Sequence, residues 1–138
     1  MNPKTLYRTV ALFGLFWGLV SVGWAKTYHL ASTSIVPAAS GDVDVNMDNN
    51  GNVKVDLKID NLARPESLTP PATTYIVWFQ QEDSRPESQG QLKVGKNLKA
   101  ELKTTTPWRK FDVFVTAEND PLAKTPSDRV LLRSQVQE

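Results

Sequence analysis

The chain has 138 residues, with 16 Lys and Arg against 15 Asp and Glu, and no cysteine. The near balance of charge argues against nucleic acid, which needs a clustered basic face. Without cysteine there is no disulfide, no thiol nucleophile, no thiolate metal site and no lipidated N-terminal Cys.

The first element is a leader. Lys4 and Arg8 precede an apolar run, Val10 to Val22, which closes on Gly23-Trp24-Ala25. This is the three-part layout of a secretory signal, with small residues at the two positions a signal peptidase reads. It predicts a signal peptide over residues 1–25 and a secreted or periplasmic chain over 26–138. The alternative is an uncleaved membrane anchor, because Thr9 to Ala25 is uncharged for 17 residues. That length sits at the lower edge of the roughly 17–25 residues a spanning helix uses, and Gly14, Gly18 and Gly23 weaken it as a helix. The remaining 113 residues hold 14 basic and 15 acidic side chains, a net charge of −1. They suffice for one hydrophobic core and are too few for two. No Asn-x-Ser/Thr glycosylation signal occurs.

Beyond the leader the dominant period is two. Tyr28 to Val36, ended by Pro37, is a weak first strand. Asp42 to Met47 turns Val43, Val45 and Met47 to one face. Val53 to Ile59 turns Val53, Val55, Leu57 and Ile59 inward and Lys54, Asp56 and Lys58 outward. Alternation of this kind marks a half-buried antiparallel pair. A two-residue turn at Asn50-Gly51 would set apolar Met47 opposite solvent-facing Lys54. A three-residue loop, Asn49-Asn50-Gly51, instead pairs Met47 with Val53 and Val45 with Val55, and needs Gly51 in the left-handed conformation. Tyr75-Ile76-Val77-Trp78-Phe79 is apolar on both faces, as in a central strand, with Trp78 expected to anchor the core. The same arithmetic predicts a second hairpin, Val94 facing Leu98 and Leu92 facing Ala100 across Gly95-Lys96-Asn97. Phe111 to Ala117 and Val130 to Val136 complete the strands. Ala63 to Ala72, Gln81 to Gly90 and Glu118 to Asp128 carry prolines and polar residues and read as loops, with a short turn possible at Pro65-Glu66-Ser67-Leu68. Seven or eight short strands of this kind predict an all-β fold, an immunoglobulin-like antiparallel β-sandwich.

Few residues point to chemistry. Asn46-x-Asp48-x-Asn50-Gly51 opens like a calcium loop, with oxygen ligands at alternating positions and a glycine at the turn. Leu57 then stands where the bidentate carboxylate belongs, so a polar hairpin tip is the reading preferred over a metal site. A single histidine, His29, assembles neither a catalytic triad nor a multi-His metal centre. Glu82-Asp83 and Glu118 with Asp120 are carboxylate pairs among turn residues, where acidic groups serve solvation and turn formation. No catalytic residue and no cofactor is expected. The candidate contact surface is Trp108-Arg109-Lys110, a tryptophan beside two cations that could anchor a protein partner or rest at a membrane interface; its plain alternative is Trp108 folded back over the end of the core. The proline loop Arg64 to Pro71 is a second candidate, or a crossover between two sheets.

One stretch resembles a known family. Tyr75-x-Val77-Trp78, Gly90-x-Leu92, Phe111-x-Val113-x-Val115-Thr116-Ala117-Glu118, and Pro126-Ser127 before Val130-Leu131 are similar to the extracytoplasmic domain of anti-sigma-K factors. The likeness covers roughly residues 74–132. It implies a β-sandwich on the outer side of the membrane. Asn119-Asp120-Pro121 stands where the family usually has glycines, and only a short segment precedes the apolar run, so sigma binding is not carried over. The resulting expectation is an exported, non-enzymatic module that binds an envelope or extracellular protein or serves as a structural part. The second expectation is a small-ligand or carbohydrate-binding module.

Overall fold

The computed structural model describes residues 25–138, so the leader lies outside the described residues. Eight strands follow in chain order: β1 Lys26–Ser32, β2 Ser40–Met47, β3 Val53–Asp60, β4 Thr74–Gln80, β5 Glu87–Leu92, β6 Ala100–Thr106, β7 Lys110–Glu118 and β8 Val130–Gln137. The only helical element among the described residues is a 3-10 turn at Pro65–Ser67, where a short turn was expected.

All ladders are antiparallel, in the order β5-β4-β7-β8-β1-β2-β3-β6. Strand β1 is the corner. Lys26 to Leu30 pair with β2, whereas Ala31 and Ser32 pair with β8. Where β1 parts from β8, the Tyr28 hydroxyl spans the gap, donating to the Gln137 carbonyl and accepting from the Gln137 amide. At the two ends of the order, β5 and β6 come together without a ladder, joined by the Thr104 hydroxyl donating to Gln89 Oε1 at 3.3 Å. The sheet therefore nearly closes into a barrel.

The β2–β3 hairpin has the register that its apolar alternation predicts. Met47 opposes Val53, Val45 opposes Val55 and Val43 opposes Leu57, with Gly51 at φ +80. Burying one face of each strand fixes this register, since a one-residue slip would turn every valine to water. The interior is then filled from both halves: Val43, Val45, Val55, Leu57 and Ile59 meet Tyr75, Val77, Phe79, Phe111, Val113 and Val115. A bulge at Val115/Thr116 lets both Leu131 and Leu132 face inward. Gly41 lies between Leu30 and Ile59 on this inner face. An added Cβ would stand 2.8 Å from Leu30 Cδ1, 3.0 Å from Ile59 Cγ1 and 3.1 Å from the Lys58 carbonyl oxygen. Gly41→Ala is therefore expected to lose about 1–3 kcal/mol through overpacking, read as a lower urea midpoint at unchanged m.

Four expectations are corrected. The segment Gln81 to Gly90, read as a loop, gives its second half to β5, whose polar residues pair with β4 at the edge of the sheet. Leu92 and Ala100 do not face each other in a hairpin, because Leu92 pairs with Tyr75 and Ala100 with Ile59. The connecting turn is wider, closed by the Gly95 amide on the Lys99 carbonyl, and Leu98 rather than Asn97 takes the left-handed conformation at φ +60. Pairing with β4 and β3 completes two apolar faces that a local hairpin would leave open. The first strand begins at Lys26 and ends at Ser32, short of Val36. Trp78 is fully buried but outside the main core. It packs with Ile76 and Phe114 on the opposite face of β4 and β7, under Ala123 and Val130.

Candidate functional site

The strand directions sort the connections to two ends of the barrel. Segments 48–52, 81–86 and 107–109 lie at one end, together with Lys26 and Glu138; segments 33–39, 61–73 and 93–99 lie at the other. Segment 119–129 starts at the second end and folds back over the outer face of the sheet, where Ala123 meets the Trp78 cluster.

At the first end stands the predicted contact loop. The Trp108 amide donates to Thr106 Oγ1 at 3.2 Å, and the Arg109 carbonyl accepts the Glu138 amide at 2.7 Å. Trp108 is half-buried against the main core, while Arg109 and Lys110 are exposed. Trp108 packs in part against the end of the core and keeps the rest of its surface exposed. Lys110 lies 3.8 Å from Glu82 across exposed surface, a pair of little energetic weight.

Beside this loop, the outer face of β4, β7 and β8 carries a polar row that sequence reading missed. Gln80 pairs with Asp112 and Asp112 with Gln135 in the ladders. With Gln81, Glu82, Lys110 and Phe111 they line a depression. Carboxylate and amide groups here offer both donors and acceptors on adjacent strands about 4.8 Å apart. The alternation of Lys110, Asp112 and Phe114 was visible in the chain; that Gln80 and Gln135 flank Asp112 required the register.

The other half of this face is closed by a buried hydrogen-bonded chain. Trp78 Nε1 donates to Thr116 Oγ1 at 2.8 Å, and that hydroxyl donates to Glu118 Oε1 at 2.5 Å. Glu118 Oε1 also accepts the Ser127 amide at 2.7 Å, and Ser127 Oγ donates to the Ala117 carbonyl at 2.8 Å. Glu118 is therefore no solvated loop residue: it is buried at the end of β7 and holds segment 119–129 in place. Asp120 does serve its turn, its Oδ1 accepting the Leu122 amide at 2.9 Å. Trp78, Thr116, Glu118 and Ser127 all belong to the motifs that carry the family resemblance. Alongside them the Arg133 guanidinium lies 4.8 Å above the Phe114 ring, a cation–π contact.

The calcium-like residues are used differently. Asp48 Oδ1 accepts the Asn50 amide at 2.8 Å and the Asn52 amide at 2.9 Å, so its carboxylate caps the hairpin turn. Asn46 faces Lys54 across the ladder, and Asn50 sits exposed at the tip. Among the described residues no three His, Asp or Glu side chains are grouped to hold a metal ion. The amides of Asn52 and Asn50 hold the Asp48 carboxyl below its ordinary value. A lowered native value means that the contribution is present above the usual carboxylate range, about pH 4, and is lost as pH falls through the native value. Asp48→Asn is expected to keep the turn and flatten the acid limb of the stability curve, measured by urea midpoints across pH. His29 lies exposed beside Asp42 on β1 and β2. Burial pushes the Tyr75 phenol up to about 12, while its hydroxyl donates to the Ala63 carbonyl at 2.6 Å and ties the proline segment to the core.

Comparison of the chain with protein-family models and with curated protein sequences gives no match.

Proposed function

We propose that this protein is an exported, non-enzymatic module that works by contact in the cell envelope, as a binding or structural part. The carrying observation is the Trp108–Lys110 loop: a half-exposed tryptophan beside two exposed cations, held by backbone bonds to Glu138 and Thr106. Tryptophan and arginine on a pre-ordered support are the residue types that dominate contact energies. The leader over residues 1–25 supports delivery to the secreted or periplasmic space.

We read the nearly closed sheet as a β-sandwich with β1 as the strand shared by its two layers. The layer β5-β4-β7-β8 has the nested order of the C′-C-F-G strands of immunoglobulin variable domains; the β2–β3 hairpin in the other layer differs from that fold's connectivity. The Trp78–Thr116–Glu118–Ser127 chain joins residues of the motifs on which the likeness to the extracytoplasmic domain of anti-sigma-K factors rests, a likeness we read without sigma binding.

The test is cell fractionation combined with a photo-crosslinker at Arg109 in living cells. Envelope components captured at Arg109 and lost in Trp108→Ala, with the fold intact by circular dichroism, are the expected result. Recovery of cytoplasmic proteins alone would overturn the reading.

The depression around Asp112 favours a second reading, a site for a small hydroxylated ligand such as a carbohydrate, since paired amides and a carboxylate suit neighbouring hydroxyls. Glycan binding measured by calorimetry and abolished by Asp112→Ala would establish it in place of the first.

A further inference from the structure

We propose that the end of the barrel carrying Trp108 rests on the lipid surface whenever residues 10–25 occupy a membrane, so that the segments 61–73 and 93–99 point away from it. The proposal rests on the export reading and names the envelope component met by the contact loop. Its basis is where the described chain begins. Strand β1 starts at Lys26, already paired with Val45, with no linker inside the domain. Lys26 follows directly on Ala25, the last residue of the uncharged stretch that would lie in the membrane.

From Ala25 to Lys26 is a single Cα-to-Cα step of about 3.8 Å. The headgroup layer on each side of a bilayer is about 5–8 Å deep. A domain held by so short a connection cannot stand clear of the surface, and the end that touches is the one holding Lys26. The contact loop belongs to that end: the Lys26 ammonium lies 3.7 Å from Glu138 Oε1, and the Glu138 amide donates to the Arg109 carbonyl. Lys110 pairs with Gln137, one residue away. Trp108 therefore stands at the depth where an amphipathic indole is favoured.

The charges at this end fix the kind of surface expected. Lys26, Arg109 and Lys110 are interspersed with Glu82, Asp83 and Glu138. With both signs present, attraction to anionic headgroups is not the driving term. Contact comes from the short connection and from Trp108. It should be the same on zwitterionic and on anionic lipid, and insensitive to salt.

The absence of cysteine makes the test direct. Single cysteines placed by Arg109→Cys and by Leu98→Cys, at opposite ends, are labelled with an environment-sensitive fluorophore in the full chain. Each is reconstituted into phosphatidylcholine vesicles, with and without phosphatidylglycerol. The label at 109 is expected to shift to the blue and to be quenched several-fold more than the label at 98 by nitroxide-bearing headgroups, equally in both lipids. Equal quenching at both sites, or none at 109, overturns the orientation although the chain floats with the vesicles. A chain that does not float overturns the membrane reading of residues 10–25 and the proposal with it. A photo-crosslinker at 109 that captures a protein in place of lipid in cells also overturns it.

Discussion

Glu118→Ala is expected to lower stability by about 2–4 kcal/mol, because it strips two donors of one acceptor. The Thr116 hydroxyl and the Ser127 amide both converge on Glu118 Oε1. Removing the carboxylate leaves the buried Thr116 hydroxyl and the part-buried Ser127 amide without this acceptor. Segment 119–129 has no ladder of its own; its far end is fastened to β7 by the Ser127 bonds and by the Arg129 carbonyl, which accepts the Ala117 amide at 3.1 Å. Loss of the clamp should therefore act locally before it acts globally. Hydrogen exchange in 119–129 should accelerate more than exchange in β4 or β7, and the emission of Trp78 should shift to the red as the covering segment lifts. Glu118→Gln keeps an acceptor oxygen and should lose about 1 kcal/mol, in line with one neutral hydrogen bond in place of a charge-assisted one. If the alanine variant matched the glutamine variant, the clamp would be refuted.

The second large effect is expected from Phe111→Ala, at about 3–5 kcal/mol. Phe111 is 1 % exposed, pairs with Val136 and packs against Phe79 with ring centroids 4.7 Å apart and planes tilted by 37°. The tilted geometry adds about 0.5–1.5 kcal/mol beyond the buried area. Truncation removes that pair and leaves a cavity at the end of the barrel, which the strands cannot collapse into without breaking ladder bonds. A domain of this size has only about 5–15 kcal/mol in total, so the variant should lie close to unfolding at ambient temperature. Phe111→Leu retains most of the volume and should lose under about 1.5 kcal/mol. Urea titration by circular dichroism measures both. Trp108→Ala, at a half-exposed site, should lose much less than Phe111→Ala, which keeps the contact loop open to functional tests without unfolding.

What the chain by itself determined follows from periodicity and turn chemistry. Strict alternation from Val43 to Ile59 specified a strand pair, its register and the left-handed Gly51, because only one pairing puts every apolar side chain on a single face. The loop at Ala63 to Ala72 followed from prolines that cannot serve a ladder, whereas the loop read over Gln81 to Gly90 holds only to Pro86, because polar residues from Glu87 on serve an edge strand. The contact loop was also visible, since Trp108 beside two cations stands out in any reading of the sequence.

The tertiary structure decided whatever depends on which strands become neighbours. Leu92 and Ala100 look like hairpin partners because alternation carries no label for the partner strand. Pairing with Tyr75 and Ile59 wins by completing two larger apolar faces. Tyr75 to Phe79 is apolar on both sides, so sequence could not say which face Trp78 joins. The buried Glu118 was hidden for a related reason: a carboxylate near Asn119-Asp120-Pro121 looks solvated until the return of Ser127 supplies its donor from nine positions along the chain. The polar row Gln80–Asp112–Gln135 exists only through the register of three strands. Sequence specifies the local period and the turns; non-local pairing alone decides which faces meet, which polar groups are buried together, and which loops share an end with Lys26.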